Sequence, residues 1–152
     1  MASVMLILSS VRLHRAVIKE AITTAKSSAQ ELVILSVLDR AIPRRVAEQF
    51  ADSGQIGTRP SEGFLDSLYK RHEQLALDQA QDILSAAQRQ GVTVSSEVRH
   101  GDYAQQTAEA LSTQRPAVVV MEKRRRSLLR FATEDAFIDK LKAEVGFRLI
   151  EV

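Results

Sequence analysis

Apolar residues follow two rhythms along this chain. Nearly solid apolar runs at Val4–Leu8, Glu31–Leu38 and Ala117–Met121 have the pattern of strands buried on both faces. Val92–Val98 instead alternates valine with polar residues, and Phe147–Val152 closes the chain; the alternation predicts a strand that is wet on one side and lies at a sheet edge. Between these runs the spacing changes to three and four. Val17, Ile18, Ala21, Ile22, Ala25 and Ala29 predict a helix over 13–28, and Leu65, Leu68, Tyr69, Ala76, Ala80, Ile83, Leu84 and Ala87 predict a longer one over 62–90, stopped by Gly91. A third helix starts at a cap on Asp102 and turns Ala104, Ala108 and Leu111 inward. A fourth has Thr133 as N-cap, Glu134 and Asp135 in its first turn, and Gly146 at its end.

Residues 40–63 break the rhythm. Pro43, Gly54, Gly57, Pro60 and Gly63 punctuate them, with Arg44, Arg45 and Arg59 adding charge. The reading is a long surface loop with a short helix over Arg44–Phe50, a length that is often functional in a compact domain. The whole order, β-α-β-α-β-α-β-α-β, predicts an α/β three-layer sandwich: a five-stranded parallel sheet, right-handed crossovers and helices on both faces.

Composition adds exclusions. The 152 residues suit a single domain, and 45% hydrophobic with 26% charged residues is ordinary for a globular protein. A net charge of +2 does not argue for nucleic acid. With no cysteine there is neither a disulfide framework nor a thiolate zinc site, which fits a reducing compartment. The apolar start is too short to span a membrane and lacks a basic leader, so the expected location is cytoplasmic.

The candidate chemistry follows Ala117–Met121. That strand empties into Glu122, then Lys123, Arg124, Arg125, Arg126 and Ser127, before a helix N-terminus. Such a junction is where an α/β sheet normally receives a phosphate. This loop has four successive cations and no glycine. It can serve as an anion site for a phosphate, a nucleotide held by side chains, or an acidic partner. The plainer reading is a solvated loop whose cations pair with Glu122, Glu134 and Asp135. Four residues without interleaved aromatics make too small a footprint for nucleic acid. His14 and His72 fall on helices as surface or packing residues. His100 with Ser9, Ser10 and Asp102 could be drawn as a base, nucleophiles and an orienter.

The first strand and helix, the phrase Val98-Arg99-His100-Gly101-Asp102 and the run Ala117–Met121 resemble the universal stress protein family over essentially the whole chain. The resemblance implies strand order 3-2-1-4-5 and, in most members, a glycine loop wrapped around ATP phosphates. Laid on that loop without a gap, the two early glycine positions fall on Glu122 and Arg125, and the late glycine and its hydroxyl partner on Asp135 and Ala136. Ser127 alone keeps its usual type. The aspartate expected at the end of strand one falls on Ser9, and Val37 stands where strand two would offer main chain to an adenine. Bulky charged residues fill the space that glycines leave for close backbone approach, and carboxylates at the helix N-terminus already supply an anion there. In the order 3-2-1, strand two also separates Ser9 from His100 by about 10 Å, too far for a hydrogen bond.

The leading expectation is therefore a dimeric binding or regulatory module of stress response, resembling the subclass without the ATP motif, with no cofactor and no catalytic residue. The second is an ATP- or AMP-binding protein, with weak ATPase activity, that uses Ser9, Val37, Lys123, Arg124, Arg125, Arg126 and Ser127. The third is a scaffold that binds a protein partner through the 40–63 loop. The resemblance also implies a homodimer paired through the last strand, 147–152, as one edge meeting its symmetry mate.

Overall fold

The computed structural model describes residues 2–8, 15–39, 62–122 and 132–152, with side chains for all of these except 62 and 132–138. The proposed helix over 44–50, most of the 40–63 loop, and Ser9, His14 and Lys123–Ser127 lie outside the described residues.

Strand β1 (Ser3–Leu8) is the centre of the sheet, and every position in it is buried. Its alternation feeds two separate cores: Val4, Leu6 and Leu8 point to one face, Met5 and Ile7 to the other. The remaining elements are α1 (Arg15–Ser28), β2 (Glu31–Leu38), α2 (Glu62–Arg89), β3 (Val94–His100), α3 (Tyr103–Gln114), β4 (Val118–Met121), α4 (Ala132–Val145) and β5 (Arg148–Glu151). All strand pairs are parallel, in the order β3-β2-β1-β4-β5. The first core takes Val17, Ala21, Ile22 and Ala25 of α1 and Ala80, Ile83 and Ala87 of α2. The second takes Ala110 and Leu111 of α3 and Leu141 of α4. Helices thus cover both faces, and the three-layer α/β sandwich expected from the pattern is the architecture observed.

Several boundaries differ from the sequence reading. Strand β3 runs two residues later than the alternation suggests, because its ladder with β2 continues to Leu38 opposite His100 and ends with the Gly101 N–H donating to the Leu38 carbonyl. Val92 is buried in the first core ahead of the strand. In α3 the buried positions are Thr107, Ala110 and Leu111, while Ala104 and Ala108 are only half-buried. Helix α4 already includes Ala132, one residue ahead of the cap position expected at Thr133.

Helix α1 ends on a residue badly suited to the job. Ala29 adopts φ 53, and Gln30 closes the end with a 3.0 Å bond to the Ala25 carbonyl. A Cβ in the left-handed region costs roughly 1 kcal/mol that glycine does not incur. Ala29→Gly is expected to raise unfolding stability by about 0.5–1 kcal/mol, seen as a higher urea midpoint with an unchanged slope.

Candidate functional site

In a sheet of this order the strand order reverses between β1 and β4, and the place where open α/β sheets receive ligands is the crevice beyond the carboxyl ends of those two strands. Val4 pairs with Val118 and Leu6 with Val120; continuing that register sets Glu122 level with Leu8. Leu8 is in turn opposite Ser36, and Ser36 opposite Val98. One row of residues therefore marks the rim of the crevice.

Val37 stands at this rim. Its side chain, 6% exposed, is committed to the second core. Its main chain is what the site can use. The Leu32 N–H donates to the Thr93 carbonyl of the β3 side, so even-numbered residues of β2 face β3 and odd-numbered ones face β1. The Val37 carbonyl is thereby directed past Leu8, the last described residue of β1. Among the sequence-predicted site residues, Val37 is the one whose surroundings are described.

Three carboxylates also stand along the described rim. Asp102, in extended backbone ahead of α3, accepts from the Gln105 N–H at 2.9 Å, the N-cap the sequence predicts. Asp39, immediately after β2, accepts from the Tyr103 N–H at 3.4 Å. The positive end of α3 is thus taken by two of the protein's own anions. Glu122, half-buried, follows directly on β4. The sequence reading gave Asp39 no role; an acid placed just after a solid apolar strand is the signal that could have found it.

Among the described residues, His72 and His100 do not come together in a catalytic group. His100 lies two strands from β1, its Nε2 3.8 Å from a Glu73 carboxylate oxygen and its ring 6.5 Å from that of Tyr69. Asp102 is occupied as the α3 cap. Among the described residues no three histidine, cysteine, aspartate or glutamate side chains converge to hold a metal ion, and no helix is long and apolar enough to cross a membrane.

Comparison with known proteins follows the same line. No protein-family model matches the sequence, and no curated protein matches it by sequence. Solved structures match it closely in shape. The universal stress protein UspA from Lactobacillus plantarum aligns over 99% of this chain and 97% of its own, at 12% identity and a TM-score of 0.68. A universal stress family protein from Burkholderia pseudomallei aligns over 99% and 95%, at 14% identity and 0.63. An Arabidopsis thaliana family protein aligns over 100% and 91%, at 12% and 0.61. The chain has the universal stress protein fold.

Within the universal stress fold, Glu122 opens the segment where the resemblance places a glycine loop. A group whose protonation folding does alter lies farther from the crevice, on α2. Burial lowers the pKa of His72 below its ordinary value near 6.5, because desolvation disfavours the charged ring. Folding therefore favours the neutral form. The stability this contributes is complete above the unfolded value and declines as pH falls through the lowered folded one. His72→Gln is expected to flatten the acid limb of a plot of urea midpoint against pH.

Proposed function

We propose that this protein is a cytoplasmic, dimeric binding or regulatory module of stress response, working through protein contacts and not through ATP held by a glycine loop. One observation carries the reading. The described carboxyl rim presents Asp39, Asp102 and Glu122, with α3's N-terminus already capped by the first two. Of these, Glu122 directly follows β4, where the resemblance places the phosphate loop, and a carboxylate beside a phosphate raises the cost of binding it. Calorimetric titration of nucleotide-free protein with ATP and magnesium is expected to give no binding at millimolar ATP. Micromolar binding would overturn the proposal.

A second reading has its own support, since the Arabidopsis protein of the same fold has AMP bound. In that reading Ser9, the Val37 main chain, Lys123–Arg126 and Ser127 form a nucleotide or anion site, and ATP is the ligand to try. Adenine nucleotide would then persist through purification, and Arg124→Ala with Arg125→Ala would abolish its retention.

The dimer is proposed at β5. Strand β5 is a sheet edge. Its Leu149, Ile150 and Val152 are half-buried against the protomer's own two cores, so main chain and not loose apolar side chains would make the pairing. Light scattering at tens of micromolar is expected to give twice the chain mass; a monomer would refute the pairing.

A further inference from the structure

The opposite edge of the sheet is longer and more open. The β2–β3 ladder runs from the Leu32 N–H on the Thr93 carbonyl, 2.9 Å, to the Gly101 N–H on the Leu38 carbonyl, 3.0 Å. Parallel pairing alternates, so Ser95, Glu97 and Arg99 turn their main-chain groups to β2. The N–H and C=O groups of Val94, Ser96, Val98 and His100 are left directed away from the sheet. On β5, by contrast, the Arg148 and Val152 N–H groups bond to β4, so only Leu149 and Glu151 of that strand face outward. Ser95, Ser96 and His100 are exposed, and β3 ends the strand order.

The two sides of this edge differ chemically. On the α3 side stand Glu31, Glu97 and Glu109 with Arg99. The Arg99 Nε lies 2.7 Å from Glu97 and its Nη1 3.5 Å from Glu109. Gln114 donates to Glu97, and the Ser95 hydroxyl to Glu31 at 3.1 Å. The balance is acidic, and the Glu97 and Glu109 side chains remain 33% and 52% exposed. On the α2 side stand Val94, Ser96 and Val98. Glu73 of α2 reaches His100 at the end of β3, and Leu77 is one helical turn farther along the same flank. Leu77 is 38% exposed, one of the few large apolar side chains so placed among the described residues.

We propose that the β3 edge is a docking site for an extended peptide that adds to the sheet as a sixth strand, with basic and apolar side chains in alternation. Its main chain pairs with Val94, Ser96, Val98 and His100. Its basic side chains lie over Glu97 and Glu109, and its apolar ones over Val98 and Leu77. Main-chain bonds supply the attachment and the two unlike faces supply the selectivity, as in other strand-addition complexes. This surface is separate from the β1–β4 crevice, so the proposal stands whether or not a nucleotide binds there.

The test uses a synthetic peptide of alternating lysine and valine, N-methylated along its outer edge so that it cannot stack. The full chain is titrated by calorimetry, and amide exchange is followed by NMR. Binding is expected at low salt, with new protection confined to the amides of Val94, Ser96, Val98 and His100. A peptide with glutamate in place of lysine is expected not to bind. Glu97→Gln with Glu109→Gln should weaken binding about tenfold, the size of two exposed ion pairs. Ser96→Pro removes an outward N–H without touching the β2 ladder, a position that tolerates proline, and should abolish binding. No binding of the lysine peptide at low salt would overturn the proposal. Binding that leaves those amides unprotected would overturn it equally, and this readout needs no variant to fold.

Discussion

Leu6→Ala is expected to cost about 3–4 kcal/mol of unfolding stability. Leu6 is fully buried in the central strand, between Ile34 of β2 and Val120 of β4, both also at 0% exposure. The helices over this face meet it through Ala21, Ala25, Ala80 and Ala87 alongside Val17, Ile22 and Ile83. Small residues bring helix and sheet backbones close together, so little side chain is free to move into the space that leucine leaves. Most of the cavity therefore persists, which puts the loss in the upper part of the usual range. Ile7→Ala removes a similar volume from the other core and is expected to cost a similar amount. The two side chains sit on opposite sides of the sheet with separate neighbours, so the double variant should lose nearly the sum. Typical domains hold only 5–15 kcal/mol, and the double variant is expected to be mostly unfolded by near-UV circular dichroism. A loss below about 1 kcal/mol for Leu6→Ala in urea would mean that β1 is not the closed centre described here.

The fold was legible because the sheet's interior and its edges have different compositions. A strand covered by helices on both faces has no wet side, and Val4–Leu8, Glu31–Leu38 and Ala117–Met121 read as such at once. The mixed stretch Val92–Val98 read as an edge for the same reason, and the strand found there, Val94–His100, is one. Its limits were not legible, because a strand ends where its neighbour's ladder ends, and that is decided by Gly101 and Leu38 together. Thr107 was missed on a different ground. A hydroxyl in a helix looks like a surface group, yet Thr107 is fully buried, with its Oγ1 unpartnered among the described residues, at the position the α3 stripe requires. Asp39 was missed because its partner, the Tyr103 N–H, is 64 residues away; its place after a solid apolar strand is a local signal, but the group it pairs with is not. Of the candidate site, only the part carried by regular strands could be followed from sequence to position: Val37, whose main chain and not its side chain faces the crevice, and Glu122 at the end of β4. The basic run was conspicuous as composition, but charge alone does not specify what it faces.

Gly101 joins the two regions that matter most here, and its replacement is the other change expected to have a large effect. It sits at φ +141 between β3 and α3, a conformation that side-chain-bearing residues rarely adopt. A Cβ there would come within 3.1 Å of the Gln106 Nε2 and 3.2 Å of its Cγ. The glutamine can swing aside, so the contact is the smaller part of the penalty and the backbone the larger. Gly101→Ala is expected to cost about 1–3 kcal/mol. The loss should fall first on what the turn arranges: the Gly101 bond to Leu38, the Asp102 cap and the approach of Asp39 to the Tyr103 N–H. Amide exchange should therefore speed up at Gly101, Tyr103 and Gln105 well before it does so in β1. Leu6→Ala weakens the cooperative core instead, and should accelerate exchange most in the slowest amides, those of β1 and its neighbours. If Gly101→Ala left the α3 N-terminus as protected as before, the turn would be tolerating a side chain. The positive φ would then not be what sets Asp102 and Asp39 at the carboxyl rim.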